Sequence, residues 1–282
     1  MIIGIVGLGL IGGSFLKAIK NFTHNTVFAF DIKNETVEFA KCMNLVDETL
    51  DNKNVSLCDY ILISTYPKSA VEWLNENKNR IKKEAVVIDC CGIKRSVCEK
   101  CFDIASKNGF TFIGGHPMAG YQKSGFKYSK ETLFKGATMI LVPKDTKNIE
   151  LLANVTAFFK NLGFSSVTVT DALTHDKNIA FTSQLAHVVS NAYVKSPRAM
   201  VHKGFSAGSY KDLTRVAYLN EDMWTELFLD NKDFLKEEID CIIDELKKYS
   251  DALNNNDETM LKALLKEGKD RKELIDKWKR LP

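Results

Sequence analysis

The sequence predicts an α/β protein: a doubly wound, mostly parallel sheet in the N-terminal part and an all-helical C-terminal part. A strand, a glycine-rich turn and a helix follow one another at the start of the chain. Strand and helix patterns then alternate to about residue 170, and strand patterns stop after Asp171. Apolar strands separated by helices are typical of a parallel sheet covered on both faces. We therefore expect two domains, at residues 1–170 and 171–282.

Each element follows from the length and spacing of its apolar residues. Short apolar runs predict strands at residues 1–6, 27–30, 60–64, 85–89, 110–113, 137–142 and 167–169. Helical spacing predicts helices at 13–19, 69–79, 95–107 and 149–162 in the first domain. In the second domain we expect one long helical stretch over 171–193 and amphipathic helices at 234–249 and 258–278. Their apolar stripes are expected to pack on the first domain and on a second subunit.

The glycine turn is the most informative motif. Gly7-Leu8-Gly9-Leu10-Ile11-Gly12 lies between a strand and a helix, the context in which GxGxxG indicates dinucleotide binding. Such a turn lets a pyrophosphate approach the positive end of the helix. Asp31, 19 residues after Gly12, ends the next strand, where a carboxylate binds the ribose of NAD and repels the phosphate of NADP. We predict a Rossmann-type NAD site formed by Gly7, Gly9, Leu10, Ile11, Gly12, Asp31 and Ser64. NADP is a lesser alternative, because the positive charge of Lys33 can partly offset the negative charge of the Asp31 carboxylate. The other alternative is a glycine turn that binds no ligand.

Composition limits the class of protein. The 282 residues are 45% hydrophobic and 27% charged, which is ordinary for a globular chain. No run of 18 apolar residues predicts a membrane span, and a net charge of +3 is too small for a nucleic-acid binder. The first residues predict a strand rather than a signal peptide, and the seven cysteines are scattered, so we expect a cytoplasmic protein. Cys98 and Cys101 lack a second pair at ligand spacing, so no metal site is expected.

His116 is the candidate catalytic residue. It lies in Gly114-Gly115-His116-Pro117-Met118-Ala119-Gly120, directly after a predicted strand. Ligands of open parallel sheets bind beyond the carboxyl ends of the strands, and histidine exchanges protons near neutral pH. A solvated loop histidine is the alternative.

The helical part supplies further polar candidates. Asp176, Ser183 and His187 lie within roughly 20° of one line on a regular helix, which predicts a polar stripe facing a cleft or a partner. A buried histidine with an internal partner is the alternative for His187.

Two cations in the same part are candidates for binding carboxylates. Lys211 and Arg215 lie one turn apart, just after a predicted helix start. Arginine binds carboxylates bidentately, and a helix N-terminus favours the same anion. Surface pairing with Asp212 and Glu221 is the alternative.

In combination, these motifs resemble those of prephenate dehydrogenases. The likeness covers nearly the whole chain in order, through Gly7–Gly12, Asp31, His116–Gly120 with Ser124-Gly125, His175-Asp176, and Lys211–Arg215 with Trp224. The resemblance implies a Rossmann domain and a helical domain that forms a homodimer. It also implies NAD-dependent oxidative decarboxylation of prephenate to 4-hydroxyphenylpyruvate, a step toward tyrosine.

The resemblance implies a role for each site residue. His116 would act as hydrogen-bond partner and base toward the substrate hydroxyl. Arg215 would bind the ring carboxylate with support from Lys211. The pyruvyl side chain would be contacted by His187, and the same substrate site would include Gln184 and Ser124.

One departure from the family pattern concerns Gly92, which is assigned to the cofactor site. Many relatives carry a serine there, close to the catalytic histidine and the nicotinamide. A backbone group, water or Cys91 would have to replace its hydroxyl in this chain.

Three other activities are compatible with parts of the pattern. An arogenate dehydrogenase, or a cyclohexadienyl dehydrogenase acting on both substrates, would use the same motifs. A hydroxyacid or imine reductase would use the same glycine turn, but the Lys211 and Arg215 pair together with His116 counts against it. A non-catalytic NAD-sensing module is the alternative from a different class, and Gly92 favours it slightly.

Overall fold

The structure is a computed structural model that describes residues 1–121 and 123–278, without the side chain of residue 278. The chain forms two compact units. The first unit comprises Met1–Lys232, and the second begins at Asp233.

An eight-stranded sheet in the order β3-β2-β1-β4-β5-β6-β7-β8 is the centre of the first unit. Neighbouring strands are parallel, as predicted, except for the antiparallel pair β6 and β7. Successive strands are added on one side of β1 as far as β3 and on its other side from β4 onward, so the strand order reverses at β1. Ligands of doubly wound sheets bind at such a switch point. The strands are Ile2–Val6, Thr26–Phe30, Glu48–Thr49, Tyr60–Ile63, Val86–Asp89, Thr111–Pro117, Thr138–Pro143 and Ser166–Val169.

The sheet is buried on both faces because its strands alternate between two apolar clusters. On β4, Tyr60 and Leu62 belong to one cluster, whereas Ile61 and Ile63 belong to the other. Successive side chains of a strand point to opposite faces. A strand that is apolar at every position therefore contributes to both clusters.

Helices cover the sheet and form the rest of the chain. In the first unit, α1 to α9 are Leu10–Phe22, Asn34–Cys42, Pro67–Asn77, Arg95–Asn108, Ile149–Asn161, Ala172–Ile179, Ala186–Tyr193, Gly208–Thr214 and Glu221–Asp230. Helix α10, Lys232–Asn254, begins at the boundary, and α11, Glu258–Trp278, lies in the second unit. No helix in the described ranges is long and apolar enough to span a membrane.

Two predicted elements near the candidate site differ in the structure. Strand β6 continues through His116 to Pro117, so this histidine ends a strand and does not lie in a following loop. The predicted regular helix over 171–193 is interrupted by a π-helical segment, Ala180–Leu185, between α6 and α7. Regular helical angles therefore do not apply across that segment, and the predicted stripe of Asp176, Ser183 and His187 is wrong as a continuous line.

The second unit has an exposed, charged surface with apolar positions along it. On α11, Arg271 pairs with Glu267 at 2.6 Å and Lys266 with Asp270 at 2.6 Å, all one helical turn apart. Such pairs on exposed helices contribute only about 0.3–0.5 kcal/mol each. Several large apolar side chains on these helices are also more than half exposed: Ile243, Leu246, Leu253, Leu265 and Leu274.

Candidate active site

The glycine turn lies at the switch point of the sheet. Gly7 has φ +87°, and a Cβ on Gly12 would lie 1.8 Å from the Gly7 carbonyl oxygen, so both positions need glycine for the turn itself. Gly9 differs, because a Cβ there would meet nothing within 4 Å. It also caps α1 without any side-chain hydrogen bond. The turn thus leaves open space in front of the helix N-terminus, which fits the pyrophosphate of a dinucleotide.

Two polar side chains lie at the same edge of the sheet. Asp31 follows β2, and its carboxylate accepts hydrogen bonds from the backbone N–H groups of Leu8 at 2.7 Å and Lys33 at 2.8 Å. The hydroxyl of Ser64, after β4, is buried without a hydrogen-bond partner of conventional geometry in the described part of the chain. Its polar neighbour is the Cys90 thiol, a weak partner. Both groups are placed where they could bond to a nucleotide, and their part in the cofactor site stays a prediction.

Gly9→Ala is expected to preserve the fold and to weaken NAD binding by about tenfold or more, since one hydrogen bond to a charged group contributes about 1.5–3 kcal/mol. The methyl group would occupy the space that the phosphate needs. Gly268→Ala is the matched control, because it also meets nothing within 4 Å and lies on α11. Quenching of tryptophan fluorescence by NAD measures the affinity. Equal affinity of the Gly9→Ala and Gly268→Ala proteins would contradict the assignment.

His116 is held at the carboxyl end of β6 by close packing of the two glycines before it. A Cβ on Gly115 would lie 2.4 Å from the Asp89 carbonyl oxygen, and one on Gly114 would lie 2.4 Å from the Cys98 sulfur. The Gly115 N–H donates to Asp89 Oδ1 at 3.2 Å. The Gly-Gly pair therefore lets β6 lie against the end of β5, which fixes where His116 leaves the sheet.

A fully buried ion pair lies beneath this strand. The Lys94 ammonium pairs with Asp89 Oδ2, and neither side chain is exposed to solvent. Burial alone would lower the pKa of Lys94, but Asp89 and the surrounding thiols raise it above its ordinary value. Lys94 is therefore charged, and its positive charge is one of the causes that lower the pKa of His116.

His116 contacts a second histidine. Its Nδ1 lies 2.9 Å from Nε2 of His175, and Nδ1 of His175 lies 2.7 Å from Oδ1 of Asp176. Burial, then the neighbouring His175 and Lys94, hold the pKa of His116 well below its usual range. Burial also lowers the pKa of His175 more than its bond to Asp176 raises it. Both rings are therefore neutral at physiological pH.

Asp176 joins the helical segment to the sheet. Its carboxylate accepts backbone hydrogen bonds from Lys94 at 2.7 Å and Arg95 at 2.9 Å, at the N-terminus of α4. Burial would raise the pKa of Asp176, but the bonds from His175 and these two amides lower it. The Asn231 side chain donates to the Asp176 carbonyl at 2.9 Å. An ionised carboxylate thus fixes α6 against the end of β5.

Helix α9 forms a second wall of the site. Leu227 on this helix would lie 3.5 Å from a Cβ at Gly92, and that Cβ would lie 4.0 Å from Nε2 of His116. Gln184 is buried, donates to the Leu227 carbonyl at 3.0 Å and accepts from Asn231 at 2.7 Å. Its amide thus holds α9 in place, and the substrate contact of Gln184 stays a prediction.

His187 is oriented by two neighbours on the same wall. Its Nδ1 donates to the Ser183 carbonyl at 2.8 Å, and its ring packs on Trp224 with 4.1 Å between centroids. Burial lowers the pKa of His187, the Ser183 carbonyl partly opposes this, and the charge of Arg215 lowers it further. Nε2 of the neutral His187 is therefore a hydrogen-bond acceptor.

The remaining predicted residues are exposed. Arg215 follows α8 and is close enough to His187 to affect its charge. Lys211 is exposed on α8, and Ser124 is exposed in the loop after β6. In the described ranges, no group of three or more His, Cys, Asp or Glu side chains is arranged to hold a metal ion.

Four residues of the site had no assigned role in the sequence prediction: Asp89, Lys94, His175 and Asn231. A lysine five residues after an aspartate that ends a buried strand was a usable signal for the first two. His175-Asp176 was noticed as a motif, but spacing alone does not show which residue it contacts. Nothing in the local sequence marks Asn231, because its partners lie 47, 55 and 136 residues away.

Comparison with known families covers both parts of the chain. Residues 15–168 match the family model described as prephenate dehydrogenase, nucleotide-binding domain. Residues 171–267 match the model described as prephenate dehydrogenase, dimerization domain. The chain belongs to the prephenate dehydrogenase family.

Individual members of this family are similar along most of their length. The chain is 30% identical to a prephenate dehydrogenase of Bacillus subtilis, over 94% of this chain and 74% of that protein. The structure of prephenate dehydrogenase from A. aeolicus in complex with hydroxyphenyl propionate and NAD+ superimposes with a TM-score of 0.85, at 27% identity and 98% coverage of both chains. The arogenate dehydrogenase of Synechocystis gives a TM-score of 0.79 at 25% identity, covering 97% of this chain and all of that one.

Proposed function

We propose that this protein catalyses the NAD-dependent oxidative decarboxylation of prephenate to 4-hydroxyphenylpyruvate. The observation that carries the proposal is the neutral His116 at the carboxyl end of β6, at the same edge of the sheet as the glycine turn. Similarity to the prephenate dehydrogenase of Bacillus subtilis and to the NAD+ complex from A. aeolicus supports it.

The chain's own residues would bind the substrate and manage one proton. Gly7, Gly9, Gly12, Asp31 and Ser64 would hold NAD, which supplies the hydride acceptor when bound. His116 accepts the proton of the ring hydroxyl as the carbon that bears it is oxidised. The ring carboxylate then leaves as carbon dioxide, its bonding electrons make the ring aromatic, and the phenolate oxygen takes the proton back from His116.

Arg215 would bind a carboxylate of the substrate. Its charge is close enough to His187 to lower the pKa of that ring, and a guanidinium can bind a carboxylate through two parallel hydrogen bonds. Lys211, one turn earlier on α8, adds a second positive charge for the same group.

Arg215→Ala is expected to raise the KM for prephenate by about 10–100-fold, because a hydrogen bond to a charged group contributes about 1.5–3 kcal/mol. NAD affinity should stay the same, since the arginine is not part of the nucleotide site. Steady-state kinetics with prephenate varied at saturating NAD measure this. Arg80→Ala is the control, since Arg80 is exposed and its guanidinium bonds to the Glu76 carbonyl, nearby in the chain, at 3.0 Å. An unchanged KM in Arg215→Ala would rule out the carboxylate contact.

The pH dependence follows from the lowered pKa of His116. A base with a lowered pKa keeps its neutral, proton-accepting form to lower pH. The acid limb of kcat/KM, which reports the free enzyme, should therefore lie below the ordinary histidine value of about 6.5. Initial rates in buffers of constant ionic strength measure it. An apparent pKa at or above that ordinary value would contradict this environment for His116.

Arogenate is the second candidate substrate, and one observation favours it. His187 donates its Nδ1 proton to Ser183, so its Nε2 can accept a hydrogen bond from an ammonium group. Arogenate carries that group where prephenate carries a keto oxygen. NADH formation with each substrate at equal concentration distinguishes prephenate, arogenate and dual specificity. NAD binding without turnover of either substrate would favour a sensing module.

We also propose that the protein is a cytoplasmic homodimer, with domains at residues 1–170 and 171–282. The match of residues 171–267 to a dimerization domain and the exposed apolar side chains of α10 and α11 support the dimer.

The family models meet between residues 168 and 171, which supports the domain boundary, although the compact units divide at Lys232. All seven cysteines are free thiols, as expected in a reducing compartment. Sedimentation equilibrium measures the oligomeric state.

A further inference from the structure

His116, His175 and Asp176 form a hydrogen-bonded chain that determines which ring nitrogen of each histidine carries the proton. Asp176 accepts backbone hydrogen bonds on both carboxylate oxygens, and the lowered pKa of this group keeps it ionised. An ionised carboxylate can only accept hydrogen bonds. The contact of 2.7 Å to His175 therefore requires a proton on Nδ1 of His175.

The protons of both histidines follow from that starting point. A neutral imidazole carries one proton, so His175 with a proton on Nδ1 has a lone pair on Nε2. The contact of 2.9 Å between this nitrogen and Nδ1 of His116 then requires the proton of His116 to be on Nδ1. Nε2 of His116 is left with its lone pair, on the side that faces Gly92 and Leu227.

We propose that His175, fixed by Asp176, is a positioning residue that selects the Nδ1–H tautomer of His116 and directs its Nε2 lone pair into the site. Gly92 has no side chain that could orient the ring from the Nε2 side, so the Nδ1 contact sets the orientation. The catalytic part of this inference rests on the proposed function. The tautomer itself does not, because it follows from hydrogen bonding within the protein.

The charged surroundings are consistent with this arrangement. His116 faces His175 from α6 and Lys94 from the end of β5, and His175 faces Asp176, Lys94 and Asp89. A proton added to His175 would place a second positive charge close to that of Lys94. The buried cation thus disfavours a doubly protonated His175 and keeps its Nε2 available as an acceptor.

The first test measures the tautomer without any substrate. The protein has five histidines, so the nitrogen chemical shifts of isotope-labelled histidine can be resolved, and the His116→Asn variant assigns the signals. We expect both His116 and His175 to be protonated on Nδ1 in the wild-type protein at neutral pH. A proton on Nε2 of His116 would overturn the inference, whatever reaction the protein catalyses.

The second test separates positioning from folding with two substitutions at one position. In His175→Asn the amide nitrogen replaces Nδ1 and keeps the bond to Asp176, but the side chain ends short of His116. In His175→Gln the longer amide reaches the position of Nε2, where its oxygen can accept from His116. Both variants remove the imidazole, and thermal melting checks that both fold.

We expect His175→Asn to lower kcat by about 10²-fold, the loss typical of a misplaced catalytic group, with little change in KM or NAD affinity. His116 in this variant should shift toward the Nε2–H tautomer. His175→Gln should retain kcat within about tenfold of the wild type, a loss of about 1.4 kcal/mol. Equal losses of kcat in the two variants would overturn the positioning role. If the wild type turned over neither prephenate nor arogenate, the proposed function would be refuted. The tautomer measurement would then still decide whether His175 selects the tautomer of His116.

Discussion

His116→Asn is expected to lower kcat with prephenate by about 10²–10⁴-fold, the range that a positioned general base contributes. Asparagine at this position cannot accept the hydroxyl proton, and β6 should remain in place because Gly114 and Gly115 still fit against β5 and α4. NAD affinity should be unchanged, since the glycine turn and Asp31 lie on other strands. Stopped-flow NADH formation and NAD titration measure the two effects separately.

The matched control for this variant is His24→Asn, because His24 is exposed in the turn before β2. It should match the wild type in both assays. Equal losses of turnover and NAD affinity in His116→Asn would mean that this histidine supports the fold of the site and is not its base.

Lys94→Met is expected to lower the free energy of unfolding by about 3–5 kcal/mol, the cost of leaving one charge of a buried pair without its partner. Asp89 would keep its bonds from Gly115 and Cys91 but lose the ammonium group in a region that excludes water. Methionine fills a similar volume, so the loss would report charge and not a cavity. Urea denaturation followed by circular dichroism measures it.

Lys107→Met is the control for the buried pair. Lys107 pairs with Asp103 at 2.7 Å on the exposed face of α4, where both side chains are more than half exposed. Exposed pairs contribute about 0–1 kcal/mol, so this variant should unfold nearly as the wild type does. If Lys94→Met lowered the free energy of unfolding by no more than Lys107→Met does, the buried pair would not stabilise the end of β5.

Seven of the eight strands of the first unit could be predicted because each contains a short, mostly apolar run, whereas the two-residue strand β3, Glu48–Thr49, has no such run and was not predicted. The run at residues 60–64 appears as β4, Tyr60–Ile63, and the run at 85–89 appears as β5, Val86–Asp89. The direction of β7 could not be predicted, because a buried strand has the same pattern in a parallel and an antiparallel pair. Helix α2, Asn34–Cys42, was missed since only Val37 and Ala40 are buried on it.

Two sequence signals pointed to the wrong local structure near the site. Gly114, Gly115 and Pro117 are typical of a loop, yet they form the end of β6 because the glycines allow close contact with Asp89 and Cys98. The π-helical segment Ala180–Leu185 has no distinctive local pattern. Buried bonds of Gln184 with residues on and after α9 accompany it.

The candidate site was predictable where one residue type suits one chemical task. His116 and the glycine turn were identified because histidine suits proton transfer and glycine suits close approach of a phosphate. The contact between His116 and His175 could not be predicted in the same way. His175 lies 59 residues away along the chain, and the packing of α6 against the sheet brings it to His116. Contacts at such separation depend on tertiary structure, which spacing does not encode.

The most direct test of the proposed reaction measures the products formed from prephenate by the purified protein with NAD. We expect equal amounts of NADH, carbon dioxide and 4-hydroxyphenylpyruvate, and loss of all three in the His116→Asn variant. NADH without carbon dioxide would contradict coupled oxidation and decarboxylation. Full product formation by His116→Asn would show that this histidine is not the base.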